Sequence, residues 1–349
     1  MSEEVLCTVR GAIGHILLNR PKALNALTLG MVDVISPALD AWAADPAIKA
    51  VVIRGAGDRA FCAGGDVRAV WDAGRARQQG QGDGSLTRAF FGGEYRLNRK
   101  IKRFPKPYIA LMDGITMGGG VGLSVHGSHR VVTEKTLLAM PETGIGLFPD
   151  VGGTWFLPRL PGRLGLYLGL TGARVTAADL LYTGIATHSA ASASLDEIEA
   201  ALANADDVEQ VLASHAVPMG EPALAGHRAM IDDCFDAPDM EGILAALLSQ
   251  GSGWADQVAQ TILSMSPTSL KVTFEQLRRG AELDFDDCMR LEYRMTQAVM
   301  DGHDFYEGIR ALLVDKDKNP KWNPARLVDV KPADVAAYFA VPPGGDLEF

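Results

Sequence analysis

Residues 112–153 (MDGITMGGGVGLSVHGSHRVVTEKTLLAMPETGIGLFPDVGG) hold the residue types that acyl chemistry requires. Gly118, Gly119 and Gly120 open a run of small and apolar residues. Further along, a loop rich in Gly and Pro carries two acids, Glu142 and Asp150. A second glycine turn, Gly64-Gly65, lies upstream in FCAGGD at 61–66. Each turn follows an apolar strand-like run and precedes a helix-like one. At such a junction the first backbone N–H groups have no partner inside the helix, carry partial positive charge and can hold an oxyanion. Glycine lets a ligand approach the backbone closely. One such turn alone reads as tight packing; two of them facing acids suggest a pocket that stabilises a developing negative oxygen. Neither is a nucleotide loop, because GGGVGLS lacks the Lys-Ser/Thr of a P-loop and GxGxxG fails at Leu123.

The elements that must position these residues follow from periodicity. Residues 5–10 and 13–18 predict a hairpin around Gly11-Ala12. Thr28 caps a helix to about residue 43, with Leu29, Val32, Ile35 and Leu39 on one face and Pro37 interrupting it. Strands are predicted at 50–54, 108–112 and 130–133, and helices at 67–73, 86–101 (carrying Glu94) and 118–126. Residues 74–84 (GRARQQGQGDG) read as a polar, mobile surface loop. Strand followed by helix, repeated, argues for a parallel-sheet α/β core. Nothing after about residue 190 reads as a strand. The division expected is therefore 1–190, an α/β core with the active site, and 191–349, a mainly helical region.

The chain has 349 residues, 47% of them hydrophobic, enough for a full core. Its 33 Lys+Arg against 43 Asp+Glu give a net charge of −10, which argues against nucleic acid or a membrane surface as a partner. Cys7, Cys62, Cys234 and Cys288 lie far apart with no CxxC, so neither a metal site nor a disulfide framework is indicated. The acidic N-terminus, MSEEVLC, has no apolar h-region and no Arg-rich amphipathic segment. A cytosolic protein is expected.

The chain resembles the crotonase (enoyl-CoA hydratase/isomerase) superfamily. Asn19-Arg20-Pro21 with Leu24-Asn25-Ala26, then FCAGGD (61–66), MGGGVGL (117–123) and PETGIGLFPDVGG (141–153), occur in that family's order and spacing. Within it, MPETGIGLFPDVGG (140–153), FLPRLPGRLG (156–165), GIATH (184–188) and DKDKNPKW (315–322) look most like the 3-hydroxyisobutyryl-CoA hydrolases. The resemblance implies a ClpP/crotonase spiral core of ββα units followed by helices. It implies that the amides of Gly65 and Gly119 bind a thioester oxygen, that coenzyme A arrives as part of the substrate with no separate cofactor, and that a homo-oligomer is possible.

One departure bears on the subclass. Enoyl-CoA hydratases keep an acid shortly after the triple glycine; here Gly122 stands there, while Glu142 matches the second acid. The resemblance then implies thioester hydrolysis in valine breakdown, with Glu94, Gly119, Glu142 and Asp150 handling the substrate. Glu142 would attack the thioester or activate water. Asp150 would orient a hydroxyl or water or protonate the leaving thiolate; its other reading is a turn residue before Val151-Gly152. Several acids in one apolar pocket cannot all ionise cheaply, so at least one should bind its proton more tightly than usual. Lys22 and Arg68 are the first candidates to meet the phosphates of CoA, with Lys316, Lys318 and Lys321 behind them. The alternatives are an enoyl-CoA hydratase or isomerase, and a non-catalytic acyl-CoA-binding protein.

Overall fold

A computed structural model describes residues 3–349. It has ten strands: β1 (Val5–Arg10), β2 (Ile13–Leu18), β3 (Ala50–Gly55), β4 (Ala60–Ala63), β5 (Tyr108–Met112), β6 (Ile115–Met117), β7 (His129–Val132), β8 (Leu137–Ala139), β9 (Val175–Thr176) and β10 (His188–Ser189). By packing, the chain divides into two compact units that interleave along the sequence. One comprises residues 1–66, 96–139 and 174–226; the other comprises 67–95, 140–173 and 227–349. The division at residue 190 read from the sequence is one of element type, and the last strand ends at Ser189.

The first unit holds both sheets. The larger has the order β1-β2-β3-β5-β7-β10, and the smaller β4-β6-β8-β9. β1 and β2 pair antiparallel through the predicted hairpin. β2, β3, β5, β7 and β10 then run parallel. Every residue of β5 is buried, as a parallel strand covered on both faces requires. Ile13, Val52, Leu111 and Val131 pack with Ile198 and Leu212 in one apolar cluster. Helices Leu195–Leu202 and Val208–Ser214 therefore cover this sheet.

Thr28 caps helix Leu29–Ala44 by accepting from Met31 N, and the helix continues through Pro37. Leu29 is only half-buried; Met31, Val32, Ile35, Leu39 and Trp42 form the inner face.

The second unit contains no strand among its described residues. The predicted loop at 74–84 needs correction, because helix Val67–Gln78 runs into it. Gly74 is buried there, and a Cβ on it would fall 2.3 Å from the Tyr306 hydroxyl oxygen. Composition had suggested exposure, but the missing side chain is a packing requirement. No described helix is long and apolar enough to cross a membrane.

Candidate active site

The two glycine turns of the first unit come from neighbouring strands. β4 and β6 are parallel, with Ala63 opposite Met117. Gly65 and Gly119 each lie two residues beyond that matched pair, so both leave the carboxyl ends of strands that sit about 4.8 Å apart. Gly64 has φ +117 and Gly118 φ +44, ψ −119, conformations that suit glycine. Leu27 N donates to Gly64 O and Asp66 N to Leu27 O, each at 2.8 Å, so the Gly65 N–H takes no part in that bridge. Gly119 begins the short helix Gly119–Ser124, whose Val121 and Gly122 amides turn back to Gly118 O. A Cβ at Gly120 would lie 2.1 Å from Cys62 O, which fixes how closely this helix approaches β4.

The acids predicted from sequence come together in the second unit. Glu94, Glu142 and Asp150 are all buried, at 2%, 5% and 5% exposure. Glu142 opens the 3-10 turn Glu142–Ile145. Asp150 lies just before helix Gly153–Phe156, and Glu94 lies on helix Ser85–Lys102. Glu94 is thus an inward-facing acid, where a mid-helix Glu would ordinarily be solvated.

Two residues that sequence reasoning missed complete the cluster. Tyr95, wholly buried, donates its hydroxyl to Asp150 Oδ2 at 2.7 Å. Glu292, also wholly buried on helix Phe285–Asp301, accepts Gly152 N–H at 2.8 Å on Oε2 and Thr154 N–H at 2.9 Å on Oε1. A signal for Glu292 existed: it lies at helical spacing between Met289 and Met295, the one charged residue on a face of mostly apolar residues.

The loop from Pro141 to Thr154 is held at several points. Ser266 N donates to Thr143 O at 3.1 Å. Gln276 Nε2 donates to Pro149 O and to Thr154 Oγ1, both at 2.7 Å. A Cβ at Gly146 would meet the Asp304 carbonyl carbon at 2.2 Å. Between Asp150 and Gly152, Val151 adopts φ +49. A buried β-branched residue in that region is an outlier, costing of order 1–3 kcal/mol that surrounding contacts must offset.

Electrostatics separates the acids. Burial is the main cause for each, and for Glu94, Glu142 and Glu292 repulsion from neighbouring carboxylates adds to it. Burial pushes Asp150 up to about 6, opposed by the hydrogen bond from Tyr95. Glu292 is pushed up to about 8 by burial and by Asp150, opposed by the amides of Gly152 and Thr154. Glu142 is raised well above the ordinary carboxylate range by burial, then by Asp150, Glu94 and Glu292. Glu94 is raised likewise, by burial, Asp150 and Glu292. The expectation of a tightly held proton in the pocket is met. Oε2 of Glu142 and Oε1 of Glu94 have no hydrogen-bond partner in the protein. The arrangement can hold one or two protons among several carboxyl groups and move them, which is what general acid–base or nucleophilic acyl chemistry needs.

Lys22 is exposed, and exposed Arg68 pairs with Asp72 at 3.1 Å. Lys316 and Lys318 are exposed with positive φ, and Lys321 Nζ donates to Asn319 Oδ1. His129 and His188 stack and share Glu209, and His15 meets Glu199, so these histidines join structural elements.

Comparison with known proteins places this geometry. A family model described as enoyl-CoA hydratase/isomerase matches residues 13–339. The mitochondrial 3-hydroxyisobutyryl-CoA hydrolase of Xenopus tropicalis is 50% identical over 99% of this chain and 91% of its own length. That of Mus musculus is 49% identical with the same coverage. Among solved structures, a carnitinyl-CoA dehydratase from Mycobacterium thermoresistibile superposes with a TM-score of 0.94 at 46% identity, covering 100% of this chain and 99% of its own. The expectation of a cytosolic protein is overturned by these relatives, which are mitochondrial by name. An acidic, unpatterned N-terminus was too thin a basis for a compartment.

Proposed function

The chain belongs to the enoyl-CoA hydratase/isomerase family, and we propose that it hydrolyses the thioester of 3-hydroxyisobutyryl-CoA to the free acid and CoA. The full-length likeness to hydrolases of that name carries this reading. The buried acid cluster supports it, as does Gly122 at the position where the family's hydratases keep an acid.

In this reading the amides of Gly65 and Gly119 take the thioester oxygen as it gains negative charge. Losing one such donor typically costs about 10²–10³ in rate. Glu142 is the acceptor. Either it attacks the carbonyl carbon, expelling the thiolate and leaving a mixed anhydride that water cleaves, or it takes a proton from the water that attacks. Asp150, pushed up to about 6, is suited to give a proton to the leaving sulfur and regain it near neutrality. Glu94 receives the acyl hydroxyl, which would pair its free oxygen. Lys22 and Arg68 meet the phosphates of CoA.

The competing reading is water addition or removal at a double bond, favoured by the dehydratase named among the structural relatives. Purified protein is offered 3-hydroxyisobutyryl-CoA and crotonyl-CoA, and free thiol and enoyl absorbance are followed. Thiol release from the first, with crotonyl-CoA unchanged, is expected. Loss of the enoyl absorbance without thiol release would replace the hydrolase with a hydratase.

A further inference from the structure

We propose that Glu292 is a positioning residue, a carboxylate clamp that holds the strained turn at Val151 and thereby aims Asp150. The inference rests on the hydrolase reading for its kinetic consequence and on geometry alone for its structural one.

Asp150 is followed by Val151 at φ +49 and by Gly152 at φ +90. Two consecutive residues in this region do not persist unaided when the first is a buried valine. Of the next three backbone donors, Gly152 N–H and Thr154 N–H end on Glu292, one on each oxygen, and Gly153 N–H turns back to Asp150 O at 2.8 Å. On the other side of Asp150, the Pro149 carbonyl is taken by Gln276. A Cβ at Gly280 would lie 2.1 Å from Thr154 O, so helix Pro267–Gly280 also abuts the turn. Asp150 is thus gripped before and after, and the result of the grip is the 2.7 Å bond from Tyr95.

Glutamine cannot reproduce the clamp. It has one acceptor oxygen, and its NH₂ would face an N–H donor. Aspartate keeps the charge but is one methylene shorter and cannot reach both amides. A buried carboxylate beside other buried carboxylates is costly to keep. Methionine or leucine at helical spacing would fill the volume at less cost. What a carboxyl group supplies here is two acceptor oxygens for two amides of one turn. The titratable groups around it are Glu94, Tyr95, Glu142 and Asp150, with Cys288 one turn back on its own helix.

The test compares wild type, Glu292→Gln and Glu292→Asp for thiol release across pH, with crystal structures of the variants. Positioning predicts a fall in kcat of about tenfold to a hundredfold for both, the penalty of a misaligned group, with KM within threefold. In both variants the limb of kcat set by Asp150 moves to higher pH, because the Tyr95 bond that opposes its burial is lost. In the crystals, Val151 returns to negative φ and Asp150 leaves Tyr95. A purely packing role would lower the yield of folded enzyme and leave KM, the pH limb and the Asp150–Tyr95 bond as they were. Should Glu292→Gln not fold, Glu292→Asp decides alone: kcat within twofold of wild type, with Val151 still at positive φ, would refute the clamp. Wild type inert toward the thioester would refute the hydrolase reading instead, and the crystallographic arm would still judge the clamp.

Discussion

The Tyr95 hydroxyl donates to Asp150 Oδ2 at 2.7 Å in a site where both residues are buried. This bond opposes the burial that pushes Asp150 up to about 6. Tyr95→Phe removes the donor and leaves Asp150 Oδ2 unpaired. The variant should need a higher pH than wild type for Asp150 to ionise, visible as an upward shift of the alkaline limb of kcat, where the proton donor to the leaving sulfur is lost. It should also lose about 1–3 kcal/mol of stability, measured by denaturant unfolding.

The acids make stability depend on pH with a definite sign. Asp150 has an ordinary value of 3.8 and is pushed up to about 6, so the folded state binds more protons than the unfolded chain between those values. Its favourable contribution is complete below 3.8 and is lost as pH rises through 6. Glu292 acts in the same sense from 4.5 to about 8. The thermal midpoint should therefore fall from pH 3.8 to about 8 more than the exposed charges account for, most steeply between 4.5 and about 6, where both groups contribute.

Asp150→Asn follows from the same sign. Asparagine can still accept from Tyr95 and carries no charge to bury. The variant should unfold at a higher temperature than wild type at pH 8, by roughly 5 °C, and at an equal temperature near pH 4. Activity should be lost at both. A stabilised, inactive variant is the usual outcome where a site is held in a costly state for function.

Gly120→Ala tests the packing that sets the glycine turns. Its Cβ would lie 2.1 Å from Cys62 O, a backbone atom that cannot swing aside. Helix and strand must part, and the expected loss is on the order of 3 kcal/mol or more. Wild-type stability in chemical denaturation would mean that the turn has slack and that its amides are not fixed.

Much of the first unit was legible in the sequence. β1, β2, β3 and β5 are apolar runs five or six residues long, bounded by Gly, Asn or Pro, and their ends fell within a residue of those predicted. β4, β6 and β8 were not found, because runs of three or four residues are too short to show a period. Yet the pairing of β4 with β6 is what brings Gly65 and Gly119 to one sheet edge. Glu142, Asp150 and Glu94 were legible through motif likeness. Tyr95 and Glu292 were not, because their roles are contacts across 55 and 140 residues of chain.

The central claim is that Glu142 carries thioester hydrolysis, and Glu142→Gln measures it most directly. Thiol release from 3-hydroxyisobutyryl-CoA is followed for wild type and variant at saturating substrate, with CoA affinity measured on both. The account predicts a fall in kcat of about 10³-fold or more, within the range reported when a catalytic group is removed, with CoA bound as before. A variant that releases thiol at near the wild-type rate would contradict it.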